Sequence, residues 1–357
     1  MSEKRIVLTG GGTAGHVMVN LAIIPTFKEE GWQIDYIGSK TGIERELIEN
    51  IPGVTYHSVS TGKLRRYMSK ENFKDPFKVM KGIAQSFRIL GEIKPQVVFS
   101  KGGFVSVPVL IAARMRGIPA VIHESDITPG LANKLAMPFA KKVLATFPET
   151  LHSISDNKAK WIGAVVRSEL LQGNKQKGLA YAKLSGDKPV LLIMGGSAGA
   201  RRINEVVREQ LDELVNQFEI IHICGKNNLD ETIKHKNYTQ FEYVNEELPD
   251  LLHATDYVLS RAGANAIFEF LALKKPMLLI PLSRKASRGD QILNASSFQK
   301  QGYAHVLEEE QLTGDTLVTA LDQLREESAT LKKKMQKYKS IEAKEKVIKI
   351  IKQTAKK

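Results

Sequence analysis

The chain has 357 residues, 42% of them hydrophobic, and carries a formal net charge of +13. This length favours two domains over one, and no apolar run approaches the ~20 residues of a membrane-spanning helix. The positive charge predicts an anionic partner, but no aromatic-rich basic motif indicates nucleic-acid binding. A single cysteine, Cys224, cannot form an internal disulfide, which is typical of the reducing cytoplasm.

The first predicted elements surround a glycine-rich run, GGGTAGH, at residues 10–16. An apolar strand over 5–9 precedes this run, and a helix over 17–30 follows it. Such a strand, glycine turn and helix place backbone N–H groups and a helix N-terminus around an anion. Glycine also lets a phosphate approach the backbone closely. The run therefore predicts a phosphate-binding loop.

The rest of the first half alternates apolar strands with helices, which predicts parallel strands joined by right-handed crossovers. Predicted strands there are 33–37, 54–59, 96–100, 119–123, 142–146 and 160–163, and predicted helices include 43–49, 73–90 and 105–116.

After a polar segment, the second half repeats this pattern, with a second small-residue turn at 195–200. We expect a first domain over 1–164, a second over 165–340, and a basic helix within 341–357 that docks back on the first. The predicted fold class is α/β, with two Rossmann-like, doubly wound domains facing each other across a cleft. Predicted strands of the second half are 189–194, 219–224, 241–244, 256–260, 276–281 and 303–307.

The helix predicted over 73–90 has an apolar stripe beside a basic one, and the segment 61–90 contains eight basic and two acidic residues. This pattern suits an anionic membrane surface. A core-packed helix with a solvated basic face is the alternative that periodicity alone leaves open. The apolar stripe is Phe73, Phe77, Met80, Ala84 and Phe87, and the basic one is Lys74, Lys78, Lys81 and Arg88.

The first glycine run also fits the dinucleotide pattern G-x-G-x-x-G through Gly10, Gly12 and Gly15, with Asp35 about twenty residues further on. However, Asp35 falls inside the predicted strand 33–37, whereas a ribose-binding acid belongs at the C-terminal end of its strand. An NAD-dependent oxidoreductase is therefore the weaker alternative.

Six motifs in order span essentially the whole chain. They are GGTAGH at 11–16, SKGGFVS at 100–106, HESDITPGLANK at 123–134, GGSAGA at 195–200, SRAGAN…E at 260–269 and GDQILNA at 289–295. With these motifs the sequence resembles the MurG family of GT-B glycosyltransferases, in the form found in low-GC Gram-positive bacteria.

The resemblance implies inverting transfer of N-acetylglucosamine from UDP-N-acetylglucosamine to the 4-hydroxyl of the muramyl sugar of lipid I. Lipid I is the undecaprenyl-diphosphate-linked muramyl-peptide, and the product is lipid II for peptidoglycan. The enzyme would work as a peripheral protein on the cytoplasmic face of the bacterial membrane, with residues 61–90 meeting the anionic surface and without nucleic acid as a partner. A UDP-N-acetylglucosamine 2-epimerase and a non-enzymatic membrane adaptor are further alternatives.

Departing UDP accumulates negative charge, which a divalent metal or fixed donors must neutralise. The chain contains no D-x-D triplet, the usual metal-ligand pair, so we expect fixed donors and neither a metal nor another cofactor. The resemblance implies that Ser197 meets the diphosphate, Glu269 the ribose, and Gln291 with Asn294 the sugar. The full implied donor set is Arg167, Gly196, Ser197, Ala198, Gly263, Ala264, Glu269, Gln291 and Asn294.

The attacking hydroxyl must lose a proton, so one general base is expected. His16 closes the glycine run, and its ordinary pKa of about 6.5 suits the role. Alternatively, His16 donates a hydrogen bond to the acceptor diphosphate. The resemblance implies acceptor contacts at Gly11, Gly12, Thr13, Gly15, Gly102, Gly103, His123, Glu124 and Asp126. Asp126 and Asp290 stand where many members of the family have asparagine and glutamine.

Overall fold

The structure is a computed structural model that describes residues 3–62, 75–155, 157–196, 199–284, 289–338 and 342–356. The chain divides into two compact units. The N-terminal unit comprises Met1–Val165 and Ile341–Lys357, and the C-terminal unit comprises Val166–Ser340. Among the described residues, no helix combines the length and the apolar character that crossing a membrane requires.

The N-terminal unit is built on a seven-stranded parallel sheet. Its strands are β1 (Arg5–Thr9), β2 (Gln33–Ser39), β3 (Val54–Val59), β4 (Val97–Ser100), β5 (Ala120–Glu124), β6 (Lys142–Ala145) and β7 (Ala159–Trp161). Their order in the sheet is β3-β2-β1-β4-β5-β6-β7. Its helices are α1 (Met18–Glu29), α2 (Ile43–Ile48), α3 (Asp75–Ile93), α4 (Ser106–Met115), α5 (Leu131–Ala136) and α14 (Ala343–Thr354).

Helices cover both faces of this sheet, so the sequences of its central strands are continuous apolar runs. Successive residues of β1 point to opposite faces. Ile6 and Leu8 belong to one hydrophobic core layer, and Val7 belongs to the other. The C-terminal helix α14 adds Val347 and Ile351 to the layer of Ile6 and Leu8, so this last segment of the chain is part of the N-terminal unit.

The C-terminal unit is built on a six-stranded parallel sheet. Its strands are β8 (Val190–Met194), β9 (Glu219–Ile223), β10 (Tyr238–Phe241), β11 (Tyr257–Ser260), β12 (Met277–Leu279) and β13 (Ala304–Val306). Their order in the sheet is β10-β9-β8-β11-β12-β13. Its helices are α6 (Lys175–Ala182), α7 (Arg201–Glu209), α8 (Leu211–Gln217), α9 (Leu248–Ala254), α10 (Ala264–Ala272), α11 (Asp290–Gln301), α12 (Gly314–Glu326) and α13 (Ser328–Gln336).

One strand lies away from its predicted position. The sequence predicted a strand over 241–244, whereas β10 ends at Phe241. Tyr238 begins the strand, and its hydroxyl lies 2.8 Å from Nδ1 of the buried His222 on the neighbouring β9. This pairing with β9 fixes the position of β10 more strongly than the apolar side chains that follow Phe241.

Helix α3 packs through a face that the sequence pattern did not indicate. Its buried positions include Gly82, Ser86 and Leu90, whereas Phe77 and Met80 of the apolar stripe are 79% and 65% exposed. A Cβ at Gly82 would lie 2.2 Å from the carbonyl oxygen of Ser60, so only a glycine permits this close approach. The helix therefore packs on the core through residues such as Leu90, as in the alternative that periodicity left open, but Phe77 and Met80 take no part in that packing.

Phe87 differs from Phe77 and Met80 of this stripe. It is half-buried against the hydrophobic core. The guanidinium of Arg116 lies over its ring, 3.8 Å from the centroid. Phe73 and Lys74, at the start of the predicted helix, lie outside the described residues. The exposed apolar side chains of α3 are therefore grouped in its first half.

Candidate active site

The carboxyl ends of β1, β4 and β5 meet at one edge of the N-terminal sheet, and the loops that follow them are tied together. The amide of Lys101 donates to the carbonyl of Thr9 at 3.0 Å. The amide of Gly11 donates to the carbonyl of Gly102 at 3.2 Å. The two glycine loops, 10–13 and 102–103, therefore form one surface at this edge of the sheet.

His16 ends a short 3-10 turn, Ala14–His16, that joins the first glycine loop to α1. Its Nδ1 lies 3.0 Å from the carbonyl oxygen of Gly11 and 3.1 Å from Oγ1 of Thr13. A carbonyl oxygen only accepts, so in the neutral ring the Gly11 contact assigns the proton to Nδ1. The lone pair of His16 then lies on Nε2.

Burial lowers the pKa of His16 to about 4, and the positive charge of Lys101 acts in the same direction. The hydrogen bond to Gly11 and the negative charges of Asp126 and Glu44 oppose this shift without cancelling it. At neutral pH the ring is therefore neutral, with Nε2 able to accept a proton.

A buried carboxylate beneath the loop, Glu44 of α2, was not singled out by the sequence. It accepts hydrogen bonds from the amide of Gly12 at 3.0 Å, from the amide of Ser39 at 3.0 Å and from Oγ of Ser39 at 2.6 Å. Burial raises the pKa of Glu44, but these hydrogen bonds outweigh burial and lower it, so the group is ionised. An acid in the first turn of a helix is also common at exposed positions, so no sequence signal distinguished this one.

These contacts change the interpretation of the first glycine run. The sequence indicated that its amides surround an anion, but the amide of Gly11 is bonded to Gly102 and that of Gly12 to Glu44. Both amides therefore have partners within the protein. The amide of Gly12 does not face a bound anion, because the carboxylate of Glu44 already supplies the negative charge on the inner side of the loop.

The second loop contains two glycines with positive φ, Gly102 at 102° and Gly103 at 85°. A Cβ at Gly103 would lie 2.1 Å from the carbonyl oxygen of Gly11. A Cβ at Gly102 would lie 2.9 Å from Oδ1 of Asn133. Both positions therefore require glycine, and the absent side chains allow the two loops to meet.

Glu124, at the end of β5, organises the loop that follows it. Its Oε1 accepts from the amides of Ser125 and Asp126 at 2.8 and 3.0 Å. Its Oε2 accepts from the amide of Gly130 at 3.0 Å and from Nδ2 of Asn133 at 2.8 Å. Glu124 is therefore committed to internal hydrogen bonds, while the neighbouring Asp126 is half-exposed.

His123 and Lys101 are buried beside this loop, with 1% and 2% of their surface exposed. Nε2 of His123 lies 3.1 Å from Oγ1 of Thr146, and burial holds the pKa of this imidazole well below its usual value. Nζ of Lys101 is bonded to Oγ of Ser125. Burial lowers the pKa of Lys101, while the charges of Glu124 and Asp126 oppose that shift. Lys101 is the second charged group that the sequence did not single out.

The glycine turn of the C-terminal unit follows β8 and leads into α7. The amide of Gly199 donates to the carbonyl of Gly196 at 2.9 Å. Gly199 has a φ of 76°, and a Cβ there would lie 2.2 Å from the carbonyl oxygen of Cys224. Ser197 and Ala198 of this turn lie outside the described residues.

Arg167 and Glu269, two of the implied donor residues, are bonded to each other. Nε of Arg167 lies 2.9 Å from Oε1 of Glu269, and Nη2 lies 3.2 Å from Oε2, which is a bidentate pair. Burial raises the pKa of Glu269, and Arg167 opposes that shift. The guanidinium therefore holds the carboxylate in a defined orientation.

The remaining implied donor residues lie around the loops after β11 and β12. Gly263 caps α10, and a Cβ there would meet nothing within 4 Å, whereas Ala264 is buried. Oε1 of Gln291 accepts from the amide of Leu282 at 3.0 Å. Asn294 is fully buried, and its Nδ2 donates to the carbonyl of Ala262 at 3.1 Å. Both side chains of α11 therefore hold these loops in position.

Comparison with known proteins covers both units. Residues 6–145 match the glycosyltransferase family 28 N-terminal domain, and residues 190–353 match the glycosyltransferase family 28 C-terminal domain. A protein of Oceanobacillus iheyensis, described as UDP-N-acetylglucosamine–N-acetylmuramyl-(pentapeptide) pyrophosphoryl-undecaprenol N-acetylglucosamine transferase, is 61% identical over 350 residues, 98% of each chain. A protein of Geobacillus thermodenitrificans with the same description is 59% identical over 354 residues, 99% of each chain.

Solved structures agree with this result. The crystal structure of Acinetobacter baumannii MurG matches with a TM-score of 0.75 and 25% identity, over 98% of this chain and 99% of that one. The UDP-GlcNAc 2-epimerase of Neisseria meningitidis bound to UDP-GlcNAc matches with a TM-score of 0.71 and 14% identity, over 98% of this chain and 100% of that one. At this low identity, the likeness to the epimerase shows a shared fold alone.

Two parallel α/β units, each with a glycine turn after a central strand, define the GT-B class of glycosyltransferases. This confirms the predicted α/β class with two Rossmann-like units. The chain belongs to glycosyltransferase family 28 and, within it, to the MurG family. It is an N-acetylglucosaminyltransferase. This result excludes the alternatives of an NAD-dependent oxidoreductase and a non-enzymatic membrane adaptor, and it does not favour the epimerase.

Proposed function

We propose that the chain transfers N-acetylglucosamine from UDP-N-acetylglucosamine to the 4-hydroxyl of the muramyl sugar of lipid I, giving lipid II with inversion at the anomeric carbon. The names of relatives at about 60% identity over nearly the whole chain support both substrates. The structural observation that carries the chemistry is the hydrogen bond from Nδ1 of His16 to the carbonyl of Gly11, which leaves Nε2 of the neutral ring to accept a proton.

His16 acts as the general base in this proposal. Nε2 takes the proton from the acceptor hydroxyl as its oxygen bonds to the anomeric carbon, and the bond to UDP breaks with its electron pair on UDP. The alternative, donation from His16 to the acceptor diphosphate, has less support. The Nδ1 proton is already bonded to Gly11, and a second N–H would require the imidazolium, which the low pKa disfavours.

For the acceptor we propose two groups of residues at the carboxyl edge of the N-terminal sheet. Outer residues contact the substrate, and buried residues hold the loops in place. The half-exposed Asp126 and the exposed Thr13 fit the first role, whereas the buried His123 and Glu124 fit the second. Among the glycines, the exposed Gly12 and the half-exposed Gly15 would lie next to the diphosphate, whereas the buried Gly11, Gly102 and Gly103 fit the second role.

For the donor we propose that Glu269 accepts the ribose hydroxyls while Arg167 orients this carboxylate and opposes the rise in its pKa that burial causes. The amides at Gly196 and Ala198 and the side chain of Ser197 would meet the diphosphate at the start of α7, where a helix N-terminus favours an anion. Gly263, Ala264 and Gln291 would line the nucleotide-sugar site, and Asn294 would hold the loop beneath it. These fixed donors would take the place of a metal.

We further propose that α3 attaches the protein to the anionic cytoplasmic leaflet, where a polyprenyl-linked acceptor resides. Phe77 and Met80 are exposed large apolar side chains. Lys78 and Lys81 are exposed on the same helix, and Nζ of Lys78 lies 3.3 Å from Oδ1 of Asp75. Apolar anchors beside basic side chains are typical of helices that bind a membrane interface.

Dependence of UDP release on the acceptor tests the proposed function. A transferase releases UDP only when a lipid-linked muramyl acceptor is present, apart from slow hydrolysis. An epimerase would convert UDP-N-acetylglucosamine without any lipid. Acceptor-dependent UDP release is the expected result, and conversion of the donor at the same rate without acceptor would contradict the proposal.

A further inference from the structure

We propose that Glu44 is a positioning residue that acts on His16 through the peptide bond between Gly11 and Gly12. This inference rests on the proposed role of His16 as the base. It assigns a task to a buried carboxylate that no motif of the sequence indicated.

A chain of two hydrogen bonds connects the two side chains. Oε2 of Glu44 accepts from the amide of Gly12 at 3.0 Å, and the carbonyl oxygen of Gly11 accepts from Nδ1 of His16 at 3.0 Å. That amide and that carbonyl belong to one planar trans peptide unit, in which the N–H and the C=O point in opposite directions. One side of this peptide therefore bonds to the carboxylate and the other to the imidazole.

Such a chain transmits charge. An ionised acceptor makes a stronger hydrogen bond than a neutral one, and successive hydrogen bonds polarise one another. The carboxylate of Glu44 therefore makes the Gly11 oxygen a better acceptor for the Nδ1 proton. The result is a ring fixed in orientation and in tautomer, with stabilisation of the positive charge that forms when Nε2 takes a proton.

Steric constraints at two glycines support this assignment independently of the hydrogen bonds. A Cβ at Gly11 would lie 2.3 Å from Cδ of Glu44, and a Cβ at Gly103 would lie 2.1 Å from the carbonyl oxygen of Gly11. Any side chain at the first position would displace the carboxylate, and any at the second would displace the carbonyl. Glycine at these two positions therefore leaves room for the hydrogen bonds on both sides of the peptide between Gly11 and Gly12.

The carboxylate itself is held on its other side. Oε1 of Glu44 accepts from both the amide and the hydroxyl of Ser39, and the carbonyl of Ser39 accepts from the hydroxyl of Tyr56 at 2.6 Å. The charged groups that act on His16 are Glu44 from α2, Lys101 from the loop after β4 and Asp126 from the loop after β5. Among them, Glu44 is connected to the ring by the hydrogen bonds just described.

The tautomer of His16 is the most direct test, and it needs no substrate. In protein labelled with ¹⁵N-histidine, NMR distinguishes Nδ1–H from Nε2–H imidazole, and the His16→Asn variant identifies the signal. We expect Nδ1–H in the wild type at neutral pH. We expect a measurable population of Nε2–H in Glu44→Gln, which keeps the shape of the side chain but not its charge. An Nε2–H ring in the wild type would overturn the inference without any variant.

Kinetics provide the second readout. Glu44→Gln should lower kcat by roughly ten- to a hundredfold, the loss typical when the partner that orients a metal-binding histidine is removed. The KM for UDP-N-acetylglucosamine should stay unchanged. Glu44→Asp retains the charge and should recover part of kcat. Glu46→Gln removes an exposed carboxylate from the same helix and should have no effect.

Failure of this inference can be told apart from failure of the proposed function. Full kcat together with an unchanged Nδ1–H ring in Glu44→Gln would overturn the role of Glu44. Normal turnover in His16→Ala would instead remove the base from the proposed function. An increase in KM alone in Glu44→Gln, with kcat and tautomer unchanged, would indicate loop support without action on the ring and would also overturn the inference.

Discussion

His16 owes its chemical state to residues from four separate segments of the chain. The carbonyl of Gly11 fixes the Nδ1 proton, and burial together with Lys101 lowers the pKa to about 4. Glu44 and Asp126 oppose that shift. A histidine in a flexible loop would have neither a fixed tautomer nor such a pKa. The residue type was readable from the sequence, but its protonation state depends on the fold.

Replacement of His16 by alanine tests its proposed role. The variant should lose roughly a hundred- to ten-thousandfold in kcat, the usual contribution of a general base. Its affinity for UDP-N-acetylglucosamine should barely change, because the implied donor residues belong to the C-terminal unit. Steady-state kinetics and donor binding by calorimetry check both expectations. Normal kcat with weaker acceptor binding would favour the diphosphate contact instead.

The pH dependence of the reaction follows from the same pKa. Because burial and Lys101 lower the pKa of His16 to about 4, the ring stays neutral where an ordinary histidine would be protonated. We expect kcat/KM for the acceptor to lose no activity through His16 until the pH falls to roughly 5. A pH profile of the wild type checks this, and an acid loss centred near pH 6.5 and absent from His16→Ala would contradict it.

At the scale of single elements, α3 shows why local pattern was not sufficient. Periodicity grouped Phe77, Met80 and Phe87 on one stripe, but the helix packs through Gly82 and Ser86, whose small size permits close approach. Burial therefore follows the shape of the neighbouring surface rather than the hydrophobicity of the stripe. The result leaves Phe77 and Met80 exposed next to basic side chains.

This surface of α3 predicts weaker membrane binding after charge reversal. Each basic side chain near an anionic surface contributes about 1 kcal/mol to membrane binding. The triple variant Lys74→Glu, Lys78→Glu and Lys81→Glu should therefore sediment less with anionic vesicles, while its donor binding is preserved. Added salt should weaken wild-type binding, since screening limits the reach to roughly 8 Å near physiological ionic strength. Lys175→Glu with Lys177→Glu, on the exposed face of α6, is the control.

The basic C-terminal segment is the competing explanation. Truncation before α14 would also remove Val347 and Ile351 from the hydrophobic core, so reversal of the exposed Lys346 and Lys349 is the cleaner comparison. Normal vesicle binding by the α3 variant, with loss of binding after reversal of these two lysines, would assign membrane attachment to α14 instead.

At the scale of the whole molecule, the sequence predicted the parts of the fold that depend on local pattern. Continuous apolar runs such as β1 and β8 identify buried parallel strands, and glycines after them identify turns. The pairing of Arg167 with Glu269 joins residues far apart in the chain, and the burial of Glu44 depends on how α2 packs. Neither follows from local pattern, because both depend on long-range contacts.

The absence of D-x-D from the sequence predicts that transfer does not require a divalent metal. Fixed donors at the C-terminal unit would neutralise the departing UDP. Activity in excess EDTA should therefore equal activity in untreated buffer, measured as UDP release with the lipid-linked acceptor. Loss of nearly all activity, restored by magnesium or manganese, would contradict the fixed-donor account.

The most direct test of the central claim is mass spectrometry of the product formed from UDP-N-acetylglucosamine and the lipid-linked muramyl acceptor. We predict that the acceptor gains one N-acetylhexosamine residue, attached at the 4-hydroxyl of the muramyl sugar, and that one UDP is released for each acceptor consumed. An acceptor of unchanged mass, with the donor converted to its 2-epimer or hydrolysed, would contradict the proposed function.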